Sequence, residues 1–399
     1  MKKPIIGQKL FGQRILVAIS VVALTPWVAT PWTEADRAGV TVIRTPQGGI
    51  QPQVAVDSKG ALHLIYLKGD PGTGDIYYAR KTPGEAEFSK PIRVNSEPGS
   101  AIAIGSVRGP QLAIGRNGRV HVAWIGAHPQ GPKRAAPMLY TRLNNTKAAF
   151  EPERNVMQFA TGLDGGASVA ADNFGNVYVV WHANPQNNGE AHRRVWVARS
   201  SDDGKTFARE TPADPLMERK PTGACGCCGM RALTDEQGTL YILYRAATDE
   251  IHRDMILLVS QDNGGHFVAE RVAKWELNAC PMSTDFISRT RLNTLIAWET
   301  AGQVSYARVA PGSNKISEAV AAPGPGGDRK HPVVVSNPRG ETLLAWTDGT
   351  GWQRGGSVAW QVFDKGGRPL SQKGNAPALP VWDVVAAFAG TDGKFTILY

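Results

Sequence analysis

Residues 52–66, "PQVAVDSKGALHLIY", contain the pattern that decides the fold. Apolar residues alternate on both sides of the turn 57–60, and the aromatic Tyr66 ends the stretch. Alternation with a period of two is typical of half-buried β-strands, and glycine supplies the positive φ that tight turns require. The stretch therefore predicts a β-hairpin.

This hairpin recurs six more times, for example as "PQLAIGRNGRVHVAW" at 110–124. The copies are spaced 48 to 63 residues apart and end at Trp124, Trp181, Tyr244, Trp298, Trp346 and Tyr399. Between successive copies lie two further short strands, such as "RVWVARS" at 194–200 and "FARET" at 207–211. Four short strands per unit of about 50 residues indicate an all-β propeller of four-stranded blades.

The blade count follows from which strands are visible. We name the strands of a blade A to D from the centre outward; seven A–B hairpins but only six C–D pairs are present. The segment "VTVIRT" at 40–45 resembles an isolated D strand. We therefore expect seven blades rather than six, with this early strand closing the last blade beside the hairpin that ends at Tyr399.

Two turns between C and D strands are more specific than the repeat itself. "SSDDGKTF" at 200–207 and "SQDNGGHF" at 260–267 place an aspartate where it can accept hydrogen bonds from the turn and a phenylalanine that packs into the blade. Here the chain resembles the sialidase-like (BNR, or Asp-box) β-propellers, with "FDKGGRPL" at 363–370 as a degenerate copy. The resemblance covers nearly the whole repeat region, but an Asp box is structural and says little about chemistry.

The first 35 residues have the layout of a secretory signal peptide. Lys2, Lys3, Lys9 and Arg14 precede an apolar run at 15–24, and the expected cleavage follows Ala35. We expect a periplasmic or secreted protein with a single propeller domain at 36–399. No later stretch approaches the roughly 20 apolar residues that a membrane-spanning helix needs.

The charge argues against nucleic acid as a partner. The formal net charge is +9, and removal of four basic residues and Glu34 with the leader leaves +6, as 9 − 4 + 1. No block of lysine and arginine stands out, whereas a nucleic-acid footprint needs basic residues clustered on one face.

The resemblance implies a glycosidase site that the chain keeps only in fragments. Sialidases are expected to use three arginines for the substrate carboxylate, a Tyr/Glu nucleophile pair and an aspartate as acid/base. Ile50 and Gln51 occupy the position of the first arginine, while Arg108 and Arg329 begin other A strands and Asp70 lies in a nearby loop. We find no Tyr/Glu pair, so a sialidase-like glycoside hydrolase stays an alternative and enzymatic activity stays open.

The four cysteines occupy two short stretches, "CGCCGM" at 225–230 and "NACPMS" at 278–283. When blades 4 and 5 are aligned on Tyr244 and Trp298, Cys280 falls level with Gly226. Both stretches then lie where the A strands of adjacent blades begin, beside the central channel. We therefore expect Cys225, Cys227, Cys228 and Cys280 to converge.

Softer and borderline ligands accompany these thiols. Met230 and Met282 could add thioethers, and His252 and His331 are expected on the same face. Clustered thiolates and thioethers suit Cu(I), and four thiolates suit Zn(II). The sequence thus predicts a soft-metal site, with copper first and zinc as the alternative, in a binding, delivery or sensing role.

Two other interpretations of the cysteines remain open. An exported protein with an even number of cysteines is commonly disulfide-bonded, and four cysteines allow three pairings. The chain would then be a scaffold that holds an exported protein or a glycan through loops such as 126–137 and 183–194. A redox-active thiol pair is a third interpretation.

Overall fold

The computed structural model describes residues 39–128, 135–213, 221–290 and 292–399. The expected signal peptide at 1–35 lies outside the described residues, as does part of the loop 126–137. No helix among the described residues has both the length and the apolar character needed to cross a bilayer.

The quoted stretch forms the hairpin that its pattern predicts. Val54 pairs with Leu64 and Val56 with Leu62 in antiparallel register. Asp57 Oδ1 accepts hydrogen bonds from the backbone N–H groups of Lys59 and Ala61 at 2.9 and 2.8 Å. An aspartate that satisfies the turn's own N–H groups makes the reversal independent of tertiary contacts.

The described residues form seven sheets, which are seven blades arranged in a ring and confirm the predicted β-propeller. Strand β1 is Val40–Ile43. Blade 1 contains β2–β5 at Ile50–Val56, Leu62–Lys68, Asp75–Lys81 and Ile92–Arg93, and blade 2 contains β6–β9 at Gln111–Ile114, Val120–Ile125, Met138–Arg142 and Arg154–Asn155. Blade 3 contains β10–β13 at Leu163–Ala171, Val177–Ala183, Arg194–Ser200 and Thr211–Pro212, and blade 4 contains β14–β17 at Met230–Thr234, Leu240–Arg245, Met255–Ser260 and Val268–Ala273.

Blade 5 contains β18–β21 at Phe286–Arg289, Thr294–Thr300, Gln303–Val309 and Val320–Ala321. Blade 6 contains β22–β25 at Arg329–Ser336, Thr342–Asp348, Gly356–Phe363 and Pro369–Leu379, and blade 7 contains β26 at Ala386–Ala389, β27 at Phe395–Leu398 and β1. In the described part of the chain, three short 3-10 helices lie at Pro46–Gly48, Arg116–Gly118 and Glu190–His192.

Strand β1 closes the ring, as expected, but in a different place within the blade. It pairs in parallel with β27, from Val40 opposite Phe395 to Ile43 opposite Leu398. The expected D-strand position is therefore wrong: β1 occupies the third position, directly beside the B strand, and this blade has three described strands. The reason is that β27 offers an unpaired edge, and an unpaired strand edge binds the nearest extended segment.

In blades 2 and 3, the tryptophan that ends the hairpin holds the segment that leads into the same blade. Trp124 and Trp181 are fully buried, and their indole N–H groups donate to the carbonyl oxygens of Ser100 at 3.3 Å and Ala160 at 3.0 Å. Buried indoles contribute a large apolar area and need such a partner for the N–H. The segments that enter the blades are thereby held in place beside the channel.

The two Asp-box turns have the hydrogen bonding that their residues predict. Asp202 accepts the backbone N–H of Thr206 at 2.9 Å, and the Ser200 hydroxyl accepts the N–H of Gly204, also at 2.9 Å. Phe207 packs edge-on against Tyr140 of blade 2, with ring centroids 4.8 Å apart. The turn thus joins two blades as well as reversing the chain.

We expect Gly204→Ala to destabilise the protein by about 3 kcal/mol or more, because two penalties coincide. Gly204 has φ +76°, and an added Cβ would collide with the Tyr140 hydroxyl. Urea unfolding measures the effect. Gly84→Ala is the matched control, since Gly84 has φ +91° but open space around it and is expected to lose only about 1 kcal/mol. Equal losses for the two variants would contradict the contact with Tyr140.

Candidate metal centre

The cysteine loop, residues 221–229, connects blades 3 and 4 and is held by the end of strand β15. The Tyr244 hydroxyl lies 2.7 Å from the Thr222 hydroxyl, and the N–H of Cys225 donates to the carbonyl of Arg245 at 2.9 Å. The N–H of Ala247 donates to the carbonyl of Thr222 at 3.0 Å. Tyr244 therefore holds the segment that enters blade 4, as Trp124 and Trp181 do in blades 2 and 3. The contact between Tyr244 and Thr222 helps to position the cysteines.

Neighbouring blades fix the loop from the other sides. The N–H of Gly166 donates to the carbonyl of Cys228 at 3.1 Å, and the N–H of Gly229 donates to that of Ser283 at 3.0 Å. Glu190 Oε1 accepts the N–H of Gly226 at 2.6 Å. A loop bonded to three blades presents its side chains in one fixed arrangement.

Glycine at 226 follows from this crowding. A Cβ there would lie 2.5 Å both from the Arg193 guanidinium and from the Asp164 carboxylate. Contacts below 3.0 Å to a Cβ require a shift, which is easily made here because both neighbouring atoms end flexible side chains. Glycine at 226 lets Arg193 and Asp164 approach the backbone without that shift.

The sulfur atoms of the cysteine loop converge. Cys225 Sγ lies 2.9 Å from Cys228 Sγ and 3.4 Å from Cys227 Sγ, and all three lie within 4.8 Å of one another. Cys225 and Cys228 are buried, whereas Cys227 is partly exposed. These three residues form a group that could hold a metal ion; we call it the thiol triad.

Cys280, the fourth predicted ligand, lies beside the triad but outside it. Its side chain is exposed, and its thiol lies near enough to Cys227 to raise the pKa of that thiol. The segment that carries it is held by Lys330 Nζ, which donates to the carbonyl of Pro281 at 2.6 Å. The structure therefore brings the two cysteine stretches together, as the alignment of blades 4 and 5 predicts.

The other predicted metal ligands have separate surroundings. Met230 is buried in the apolar core between blades 3 and 4, and Met282 is partly buried with φ +49°. His331 is buried with Nδ1 3.2 Å from the N–H of Thr284, and His252 lies at the surface 3.7 Å from Glu276. Among the described residues, the side chains whose ligand atoms converge are three cysteines. Neither histidine belongs to this group.

Three buried ionisable residues that the sequence motifs do not include lie around the thiol triad. His182, Arg245 and Glu299 each follow the hairpin aromatic in blades 3, 4 and 5, and each is no more than 2% exposed. His182 Nε2 donates to the carbonyl of Cys228 at 3.3 Å, and Arg245 lies 3.9 Å from the Glu299 carboxylate. The equivalent positions in blades 1 and 2 are Leu67 and Ile125. An ionisable residue at a position that is apolar in blades 1 and 2 could have identified these residues from the sequence.

The thiols have opposite tendencies to ionise. Hydrogen bonds with Cys227 and Cys228, together with burial, raise the pKa of Cys225. Burial also opposes ionisation of Cys228, but hydrogen bonds from the other two thiols and the positive charge of Arg245 outweigh it and lower the pKa of Cys228 well below its usual value. The first thiolate of the triad therefore forms at Cys228, beside an arginine.

The candidate glycosidase residues are already engaged in other contacts. Arg108 donates to Asp164 Oδ1 at 2.9 Å and to the carbonyl of Ile104 at 3.0 Å. Arg329 donates to Gln303 Oε1 at 2.8 Å and lies over the Trp346 ring. Asp70 is exposed and accepts the N–H of Gly72, two residues along the chain.

A buried acid lies where blade 7 meets blade 1. Asp383 Oδ1 accepts the N–H groups of Gln51 at 2.7 Å and Val384 at 2.8 Å, while its Oδ2 has no partner. Burial raises the pKa of Asp383 to about 7 despite these hydrogen bonds and the charge of Arg44. Sequence analysis identified Gln51 but not this carboxyl group, which takes part in closing the ring.

Asp383 is expected to make the protein less stable as the pH rises. Its folded pKa of about 7 lies above the unfolded value, so the folded state holds a proton that the unfolded state loses between pH 4 and 7. Over that interval the free energy of unfolding should fall by up to about 4 kcal/mol on account of this group, with no further fall above pH 7. Urea unfolding between pH 4 and 8 measures the slope.

Asp383→Asn is the control for this prediction, because asparagine keeps an oxygen acceptor for Gln51 and cannot ionise. The variant should lose the part of the pH dependence between pH 4 and 7 that the wild type shows. Identical slopes for the two proteins would assign the pH dependence to other groups.

Comparisons with known proteins support the fold but do not indicate the chemistry of the site. No family model matches the chain, and no curated relative matches it. A solved protein of unknown function from Dyadobacter fermentans is 14% identical, with a TM-score of 0.54 over 81% of this chain and 96% of that one. Neighbours also include a Hadza microbial sialidase (12% identity, TM-score 0.48, 75% of this chain and 64% of that one) and a Penicillium chrysogenum α-L-arabinanase (12%, 0.49, 81% and 95%). Sialidases and other β-propellers are thus among the structures that this seven-bladed propeller resembles.

Proposed function

We propose that the protein binds one Cu(I) ion through the thiol triad and acts as an exported copper-binding or copper-delivery protein. The observation that carries this proposal is the convergence of three sulfur atoms within 4.8 Å, two of them buried. Soft thiolate ligands select soft metal ions, and Cu(I) is the softest common one.

The composition of the group favours copper over zinc. Structural zinc sites are almost always four-coordinate and tetrahedral, whereas the converging group contains three ligands. Cys280 is the nearest further thiol, but it is exposed rather than enclosed with the others. A zinc site would therefore require the 278–283 segment to move its cysteine inward.

The surroundings offer positive charge to offset the ligands. Three thiolates around a monovalent cation leave two negative charges, and burying such charges is costly unless they are compensated. The positive charge of Arg245 helps to lower the pKa of Cys228. Arg253 lies close enough to the thiol triad to interact with it electrostatically, although its main partner is Glu190 at 2.7 Å. These two buried arginines supply part of the positive charge that a Cu(I) trithiolate needs.

The test is the intact mass of the mature protein, native and then denatured, after anaerobic titration with Cu(I) and purification without chelator. We expect a native mass heavier by one copper ion and, after denaturation, four free thiols. A single bound zinc ion in the native protein and failure to take up Cu(I) would replace copper by zinc. No retained metal would reject the proposal.

A disulfide is the second candidate, favoured by the 2.9 Å between Cys225 Sγ and Cys228 Sγ. A small rotation of either side chain would reach the bonding distance of about 2.05 Å. The protein would then be a stapled scaffold for an exported protein or a glycan. The same measurement identifies this case, because the denatured mass would be two hydrogens lower for each disulfide.

A further inference from the structure

The four thiols differ in their access to solvent along a short path. Cys280 is exposed, Cys227 is partly exposed, and Cys225 and Cys228 are buried. The Cys280 thiol lies near enough to Cys227 to raise the pKa of that thiol, and Cys227 Sγ is 3.4 Å from Cys225 Sγ. The four cysteines therefore lie in order from the surface to the buried end of the thiol triad.

We propose that Cys280 is the transfer ligand of this site, through which a soft metal ion passes between an external donor and the thiol triad. The inference rests on the proposed function and adds to it the route and the chemical class of the partner. The partner is a metal carrier, protein or small molecule, that presents the ion on thiolate or thioether sulfur.

The segment that carries Cys280 is fixed on both sides. The N–H of Leu277 donates to the carbonyl of Ile251 at 2.8 Å, and Lys330 Nζ donates to the carbonyl of Pro281 at 2.6 Å. The carbonyl of Ser283 accepts the N–H of Gly229 from the cysteine loop. Cys280 is thus held beside Cys227 while its thiol faces solvent, which gives it a high effective concentration for exchange.

Transfer then occurs by ligand exchange without any change of oxidation state. The Cys280 thiol releases its proton to solvent and its sulfur binds the ion, and one bond between the ion and a donor sulfur breaks. Cys227, Cys228 and Cys225 next bind in turn, with loss of their remaining thiol protons, and the bonds to the donor and to Cys280 break. Cys280 and a released donor thiolate take up protons again, whereas a released donor thioether stays neutral; any thiol protons not taken up again pass to solvent, so protons and charge balance.

The experiment compares Cys280→Ser with the wild type under anaerobic conditions. The probe is Cu(I) on glutathione, a small thiolate carrier: native mass at timed intervals gives the rate of transfer to the protein, and competition with bicinchoninate gives the equilibrium affinity. We expect Cys280→Ser to bind one Cu(I) with an affinity within about threefold of the wild type and to take it up about tenfold more slowly. Ala279→Ser is the matched control, because it places the same side chain at the preceding exposed position and keeps all four thiols.

Each outcome separates this inference from the function on which it rests. If Cys280→Ser takes up copper as fast as the wild type, Cys280 is not the transfer ligand, although the triad still binds metal. If the variant loses the metal at equilibrium, Cys280 is a permanent fourth ligand and the inference is wrong. If the wild type binds no Cu(I), both the proposed function and the inference fail.

Discussion

Serine in place of Cys225 is expected to abolish Cu(I) binding. Cys225 is the central member of the thiol triad, since its Sγ lies 2.9 Å from that of Cys228 and 3.4 Å from that of Cys227. A hydroxyl is a hard ligand that does not ionise near neutral pH, so one of three metal–sulfur bonds disappears. Changes to residues that only support metal ligands already cost 10- to 100-fold in affinity, and the loss of a ligand should cost at least about 100-fold.

Competition against bicinchoninate measures this loss, and native mass gives the stoichiometry. Ser283→Ala is the matched control: it removes a buried hydroxyl that donates to the carbonyl of Thr284, and it leaves every thiol and the backbone bond to Gly229 in place. Cys227→Ser provides a second test in a less enclosed position, so that a folding defect in Cys225→Ser cannot decide the result. Unchanged copper affinity in both serine variants would rule out the thiol triad as the metal site.

The sequence repeat allowed the fold to be predicted down to the individual hairpins. Aspartate turns such as that at Asp57 satisfy their own backbone groups, and the hairpin aromatics of blades 2, 3 and 4 hold the segments that enter those blades. Both effects are local to one repeat, and seven copies reinforce one interpretation. The placement of β1 was less accurate, because the partner of an isolated strand depends on which edge the folded ring leaves unpaired.

The site was predictable only in part, for a related physical reason. The alignment of blades 4 and 5 placed Cys280 near the cysteine loop, and the structure has its thiol beside Cys227. It did not specify that the side chain would be exposed, because exposure depends on loop conformation rather than on register. Arg245 and Glu299 were missed because their contact joins residues 54 positions apart, although a charged residue directly after the hairpin aromatic was visible in blades 4 and 5.

Arg245→Met is expected to be among the most destabilising single changes in the protein. Arg245 is 2% exposed; its Nη1 donates to the carbonyl of Arg253 at 2.8 Å, and its Nη2 donates to the carbonyl of Glu299 in blade 5. Removing the guanidinium leaves two carbonyl groups and the buried Glu299 carboxylate without their partner. Breaking a buried pair in this way costs about 3 to 5 kcal/mol, which urea unfolding of the metal-free protein measures.

A surface arginine gives the matched comparison. Arg368 forms an ion pair with Asp364 at 2.9 Å, but its side chain is 85% exposed. Arg368→Met should change the free energy of unfolding by no more than about 1 kcal/mol, because exposed ion pairs contribute little. If Arg245→Met had an equally small effect, the contacts of Arg245 between blades 4 and 5 would not contribute to stability.

The double variant Arg245→Met, Glu299→Gln separates two contributions to the loss of stability: the uncompensated charge of the Glu299 carboxylate and the lost packing of Arg245. Glutamine keeps the oxygen that accepts the N–H of Gly302 at 2.6 Å but removes the carboxylate that Arg245 compensates. If the uncompensated charge dominates, the double variant should be more stable than Arg245→Met alone, with a coupling of about 1 to 3 kcal/mol. Strictly additive losses would instead assign the cost to the two carbonyl groups and the cavity, since neither depends on the charge of residue 299.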